Sequence, residues 1–174
     1  MLIREEDVVI RQAKLEDASE ILHIQEEVVS EGDFLTTVSE EFNKTVEQQR
    51  DWIEKVLEND KDTMLVAEYQ NTILGWIVFL SSNRIRLSHT GSIGMMVKKD
   101  FRSMGIGKFL MKRMLVWAEQ NQSIEKVSLG VFSTNKKAID LYKGMGFVEE
   151  GRKVKEFKFN ENEYVDDILM YKFV

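Results

Sequence analysis

The stretch from His89 to Gln120 constrains the fold more than any other part of the chain. His89–Val97 reads as a strand, apolar at its end, and is followed by Lys98-Lys-Asp-Phe-Arg102-Ser-Met-Gly105-Ile-Gly107-Lys108. Ile106, Phe109, Leu110, Met114 and Trp117 then recur at i, i+3, i+4, i+8 and i+11, which gathers them on one face of a helix over Gly105–Gln120. A strand that turns through glycines into an amphipathic helix must pack that helix back on a sheet. The remaining patterns agree. Val8–Ala13 predicts a short strand, and Ala18, Ile21, Leu22, Val28 and Val29 predict a helix from about Glu16 to Ser30. Glu31–Lys44 is polar and reads as a loop or broken helix. Thr45-Val-Glu-Gln48 is a capping-box pattern opening a second helix, with Val46, Ile53, Val56 and Leu57 on its inner face.

Met64–Tyr69 and Ile73–Leu80 flank a polar turn and predict an antiparallel hairpin. Lys126–Phe132 predicts a strand. Lys136–Met145 predicts a short helix with Ala138, Leu141, Tyr142 and Met145 on one side and Gly146 as its stop. Phe147–Phe159 and Tyr164–Phe173 predict two long strands around Asn160-Glu-Asn-Glu163. The order βααβββαβαββ is that of a mixed α/β chain. With 174 residues, no repeat and no linker-like run, one domain over 1–174 is expected.

Composition narrows the chemistry. The chain has no cysteine and two histidines, His23 and His89, so disulfides, thiolate metal sites and a cysteine nucleophile are excluded and no metal is expected. The acidic start Met1–Asp7 lacks the pattern of a secretion signal, and no apolar run reaches membrane-spanning length. A cytoplasmic protein without a membrane partner is expected. The net charge of −6 argues against a nucleic-acid partner. Residues 1–60 carry 17 acids and 6 bases, whereas residues 61–174 carry 13 acids and 18 bases. Lys98, Lys99, Arg102, Lys108, Lys112 and Arg113 face a single acid, Asp100, across the glycine turn. A homodimer is compatible with the sequence, and nothing in it requires one.

Two segments carry chemistry. In Arg102-Ser-Met-Gly105-Ile-Gly107 the first turn of a helix offers unpaired N–H groups and the positive end of its dipole, and the glycines let an anion approach the backbone. The alternative is that the glycines only shape a tight turn. In Asn135-Lys-Lys-Ala-Ile-Asp-Leu-Tyr142-Lys-Gly-Met-Gly-Phe147, Asn135 can cap a helix or bond an extended ligand, and Tyr142 falls on the inward face.

In this order and spacing the two segments resemble the GCN5-related N-acetyltransferases. Arg102–Gly107 matches that family's acetyl-CoA motif, Asn135–Phe147 matches its second motif without a gap, and the ending Asn162–Met170 is similar to the branch with ribosomal-protein and diamine acetyltransferases. The resemblance implies a mostly antiparallel sheet with helices on both faces and splayed central strands. It implies acetyl-CoA as co-substrate, with no metal, and a primary amine as acceptor. Backbone groups of Met95, Met96 and Val97 would pair with the pantetheine arm. Amides of Ser103, Met104, Gly105, Ile106, Gly107 and Lys108 would hold the pyrophosphate, with Arg102 adding charge. Asn135 would bond the pantetheine, and Tyr142 would protonate the departing sulfur. The amide of Met96 is the expected oxyanion donor.

Where many members of that family carry a glutamate on the central strand this chain has Gly91, and where others carry one five residues before the motif asparagine it has Gly130. That leaves His89, Glu31, Asp33 or a water relay to take the amine's proton, with Glu31, Asp33, Phe34 and His89 as candidate acceptor contacts. The acidic first third, with Phe34, Phe42 and Trp52, favours a cationic acceptor, either a small amine or a protein N-terminus. The rival reading is a non-catalytic acyl-CoA sensor.

Overall fold

A computed structural model describes residues 3–174; Met1 and Leu2 of the acidic start lie outside the described residues. The elements run β1 (Val9–Gln12), α1 (Ala18–Glu31), α2 (Val46–Leu57), β2 (Thr63–Tyr69), β3 (Thr72–Ser81), β4 (Thr90–Val97), α3 (Ile106–Gln120), β5 (Lys126–Phe132), α4 (Lys136–Gly144), β6 (Val148–Asn160) and β7 (Glu163–Phe173). The order is the one expected, and local chemistry fixes its corners. Gln70 and Asn71 both take positive φ in the β2–β3 turn, which suits the twist of a tight hairpin. Thr45 and Gln48 close the capping box of α2 with reciprocal bonds of 2.9 and 3.2 Å. Gly146, at φ +89°, turns the chain out of α4.

The strands form one seven-stranded sheet in the order β1-β2-β3-β4-β5-β7-β6. Every neighbouring pair is antiparallel except β4 and β5. Strand alternation sends Val66, Trp76, Val78 and Met96 to the face covered by α1 and α2. Leu65, Ile77, Phe79 and Val127 go to the other face, under α3. One expectation fails: Val46, placed on the inner face of α2, is 49% exposed, because the first helical residue lies before the stripe meets the sheet.

The central strands part. β4 pairs with β5 only from Thr90↔Lys126 to Ser92↔Ser128. Beyond that, β4 stays with β3 as far as Val97, and β5 stays with β7 as far as Phe132. A V-shaped opening therefore separates the last five residues of β4 from the last four of β5.

Candidate active site

The turn into α3 presents a run of free donors. Arg102 N–H donates to Lys99 and Phe109 N–H donates to Gly105, but among the described residues the N–H groups of residues 103 to 108 find no backbone acceptor. Ser103 (φ +61°) and Gly105 (φ +90°) alternate with residues of negative φ, curling these amides into a concave nest at the positive end of a 15-residue helix. Such a nest suits a di-anionic group. Lys108 is exposed beside it, and Lys137 at the start of α4 donates to Ser103 Oγ at 3.4 Å. Lys137 was not singled out from the sequence, since only the fold brings α4 to this loop. The two glycines differ. Gly105 needs its left-handed φ, and a Cβ there would come within 2.9 Å of the Phe109 ring. A Cβ on Gly107 would meet Met95 Cε at 3.3 Å and Leu141 Cδ2 at 3.4 Å, so this glycine admits the packing of β4 and α4.

Arg102 is occupied elsewhere. It was expected to add charge at the pyrophosphate, but its Nη atoms donate to both carboxylate oxygens of Glu31 at 2.6 and 2.7 Å, and its Nε to the Val97 carbonyl at 3.0 Å. Glu31, expected as a base or acceptor contact, is committed to that pair with its side chain 15% exposed. Opposite charges brought within hydrogen-bond reach neutralise each other, so neither group is free for its expected task.

Strand parity corrects the backbone assignment. Lys98 N–H donates to Leu74 and the Thr90 carbonyl accepts from Ser82, so even-numbered residues of β4 turn their backbone groups towards β3. Met96, opposite Trp76, therefore spends its amide in the sheet and is not available as an oxyanion donor. Met95 and Val97 point their N–H groups into the opening.

α4 closes the opening from the α3 side. Leu141 reaches Gly107, and Tyr142 on the next position packs against Phe147 with ring centroids 6.0 Å apart. Burial pushes the Tyr142 hydroxyl up to about 12. No described residue hydrogen-bonds it. Asn135 Oδ1 accepts from Ala138 N–H at 3.3 Å, its capping role.

On the α1–α2 side the expected contacts are dispersed. His89 precedes the paired end of β4, where its carbonyl accepts from Glu125 and Lys126. At ~3.3 Å per residue it stands about 20 Å from Met95 along the strand, too far to act as a base there. At Gly91 a Cβ would collide with the Phe79 ring, so the fold leaves no room for a side chain at that position. Asp33 and Phe34 are exposed. Trp52 meets Trp76 edge-on at 6.0 Å and carries Lys44 Nζ 4.4 Å over its ring, a cation where the acidic composition favoured anions. Around the stretch of β5 that has left β4, the neighbouring side chains come from the C-terminal strands. Phe132 stacks on Phe157 at 4.1 Å with Phe159 edge-on at 6.0 Å. Asp167 of β7 lies over Gly130, its Oδ1 2.8 Å from where a glycine Cβ would stand. Neither was found from the sequence, because β7 enters the sheet between β5 and β6. Among the described residues no three or more His, Cys, Asp and Glu are grouped to hold a metal ion.

Comparison with known proteins agrees with this geometry. The model of the acetyltransferase (GNAT) family matches residues 25–147. The chain is 29% identical over 119 residues to the L-amino acid N-acetyltransferase AaaT of Escherichia coli K12, covering 68% of this chain and 73% of that protein. It is 30% identical over 114 residues to the spermidine N(1)-acetyltransferase of Vibrio cholerae, covering 66% and 64% respectively. The crystal structure of a GNAT-family acetyltransferase from Streptococcus pneumoniae superposes with a TM-score of 0.91 at 26% identity, covering 96% of this chain and 99% of that one.

Proposed function

Because the chain belongs to the GNAT acetyltransferase family, we propose that it transfers the acetyl group of acetyl-CoA to the nitrogen of a primary amine. The observation that carries this reading is the run of six unpaired N–H groups, residues 103 to 108, set beside an opening between β4 and β5. In the proposed arrangement these amides hold the pyrophosphate, with Lys108 and Lys137 supplying charge. The N–H group of Val97 pairs with the pantetheine arm lying along β4, and the Asn135 side-chain N–H bonds its amide. A Met95 amide polarises the thioester carbonyl as negative charge develops on oxygen. Tyr142 donates its proton to the departing sulfur; burial keeps that proton in place at neutral pH.

The acceptor is a primary amine because the aromatic wall of Phe132, Phe157 and Phe159 and the carboxylate of Asp167 suit an alkylammonium group. The relatives named for L-amino acids and spermidine support the same class. Nothing in the fold or the relatives supports the non-catalytic reading. The net charge of −6 supports an acceptor other than nucleic acid, and a cysteine-free chain suits the cytoplasm. No helix among the described residues is long and apolar enough to cross a membrane.

The test is free-thiol release from acetyl-CoA against L-amino acids, spermidine and a short peptide with a free N-terminus, with acetyl-CoA affinity measured by calorimetry. Turnover with one of these amines, above a no-acceptor control, is expected. Tight acetyl-CoA binding with no turnover on any arm would overturn the assignment.

A further inference from the structure

We propose that Asp167 is the group that takes the proton of the attacking amine. The inference rests on the acetyltransferase reading above. An alkylamine is mostly ammonium at pH 7, so its nitrogen must lose a proton before or during attack. Glu31 is bound to Arg102, His89 lies at the paired end of β4, and Asp33 is exposed in its loop. Asp167 is placed differently. It pairs in register with Phe132 at the end of β5, and its carboxylate leans back over Gly130, in the stretch of β5 that has left β4. The side chain is 13% exposed, mostly withdrawn from water without being sealed from it. Glycine at 130 leaves room for this approach: a Cβ there would stand 2.8 Å from Oδ1 and push the carboxylate aside.

The charged groups facing Asp167 are Lys153 and Glu156 of β6. Burial raises the carboxyl above its ordinary value; Lys153, 3.9 Å away, opposes this, and Glu156 adds to it. Lys153 is itself shared with Glu156 at 3.4 Å, so Asp167 is not locked in a tight pair as Glu31 is. A carboxylate whose affinity for protons is raised is a better base near neutral pH.

The step balances as follows. Asp167 accepts one proton from the ammonium nitrogen, directly or through one water, and the freed lone pair attacks the acetyl carbon. The C–N bond forms, the C–S bond breaks, and the thiolate receives the Tyr142 proton. The bonded nitrogen sheds its second proton as the tetrahedral intermediate collapses, and that proton restores Tyr142 through water. Asp167 releases its own proton to solvent, so each turnover of an ammonium frees one proton.

The experiment compares pH profiles of kcat/KM for the best amine of the panel in the parent, Asp167→Asn, Asp167→Glu and Gly130→Ala, with acetyl-CoA affinity and melting temperature measured on each. Asp167→Asn is expected to lose roughly 10²–10⁴-fold in kcat/KM at pH 7 and to lose the parent's acid-limb titration. Its rate should keep rising with pH as free amine accumulates, with acetyl-CoA affinity unchanged. Gly130→Ala, which displaces the carboxylate and removes no charge, should show the same shape, and Asp167→Glu should regain part of the activity. A folded Asn variant with the parent's kcat/KM and acid limb would overturn the proposal. So would a uniform loss at every pH, the mark of a structural role. A parent inert towards every amine would instead overturn the reading on which it rests.

Discussion

Glu31 at the end of α1 and Arg102 between β4 and α3 are joined by two charge-assisted hydrogen bonds of 2.6 and 2.7 Å, across 71 residues of sequence. A carboxylate at a helix C-terminus opposes the helix dipole, and the guanidinium offsets that cost. Arg102 also holds the Val97 carbonyl, so one side chain ties α1 to the end of β4 just before the glycine turn. In a double-mutant cycle of Glu31→Gln and Arg102→Gln by urea unfolding, a coupling of about 1 kcal/mol is expected, discounted because Arg102 is 34% exposed. Each single variant should also bind acetyl-CoA more weakly, since residues 103–108 lose their tether. Parent-like affinity in both would confine the pair to scaffolding.

The two glycines of the nest should separate in their effects. Gly105→Ala forces an L side chain to φ +90° against Phe109, at a cost of about 1–2 kcal/mol, and distorts the donors. Acetyl-CoA affinity by calorimetry should fall markedly. Gly107→Ala meets only the flexible ends of Met95 and Leu141 and should bind nearly as the parent does. Gly107→Val, by contrast, presses on that packing and should lower the melting temperature along with affinity. A Gly107→Ala variant that fails to bind would place that glycine against the ligand instead.

Tyr142→Phe keeps the ring against Phe147 and removes the hydroxyl. kcat should fall by roughly 10²–10⁴-fold with acetyl-CoA affinity unchanged. Because burial pushes the hydroxyl up to about 12, the acid is present throughout the usual assay range. The parent should therefore show no alkaline decline in kcat where a free tyrosine would ionise. An unchanged kcat in the variant, measured where chemistry limits turnover, would remove Tyr142 from the mechanism.

Asp17 makes a stability prediction. Burial pushes its carboxyl up, but the Arg11 guanidinium at 2.7 and 2.9 Å and the Lys14 N–H at 2.7 Å outweigh this and hold it below its ordinary value. A lowered carboxyl stabilises the fold above its unfolded pKa of about 3.9, and that stability is lost as pH falls through the lower folded value. Asp17→Asn should cost about 2 kcal/mol at pH 7 in urea unfolding. The gap between parent and variant should narrow below about pH 4. A gap that does not change with pH would assign the cost to packing.

The order of the eleven elements, the glycine turn at Gly105–Lys108 and the Asn135–Phe147 segment are legible in the sequence alone. These are local properties: helical and strand periods, a capping box at Thr45, a left-handed stop at Gly146, and donors left over at a helix start. Which groups are free near the opening depends instead on how distant segments pair. The alternation of β4 is set by its ladder to β3, so whether Met95 or Met96 offers its amide depends on Leu74 meeting Lys98. Glu31 is withdrawn by an arginine far along the chain, and His89 is removed by the length of a strand. Asp167 comes to Gly130 because β7 inserts between β5 and β6. Such pairings depend on strand order and register, which join residues distant in the chain and leave no periodic trace in either segment.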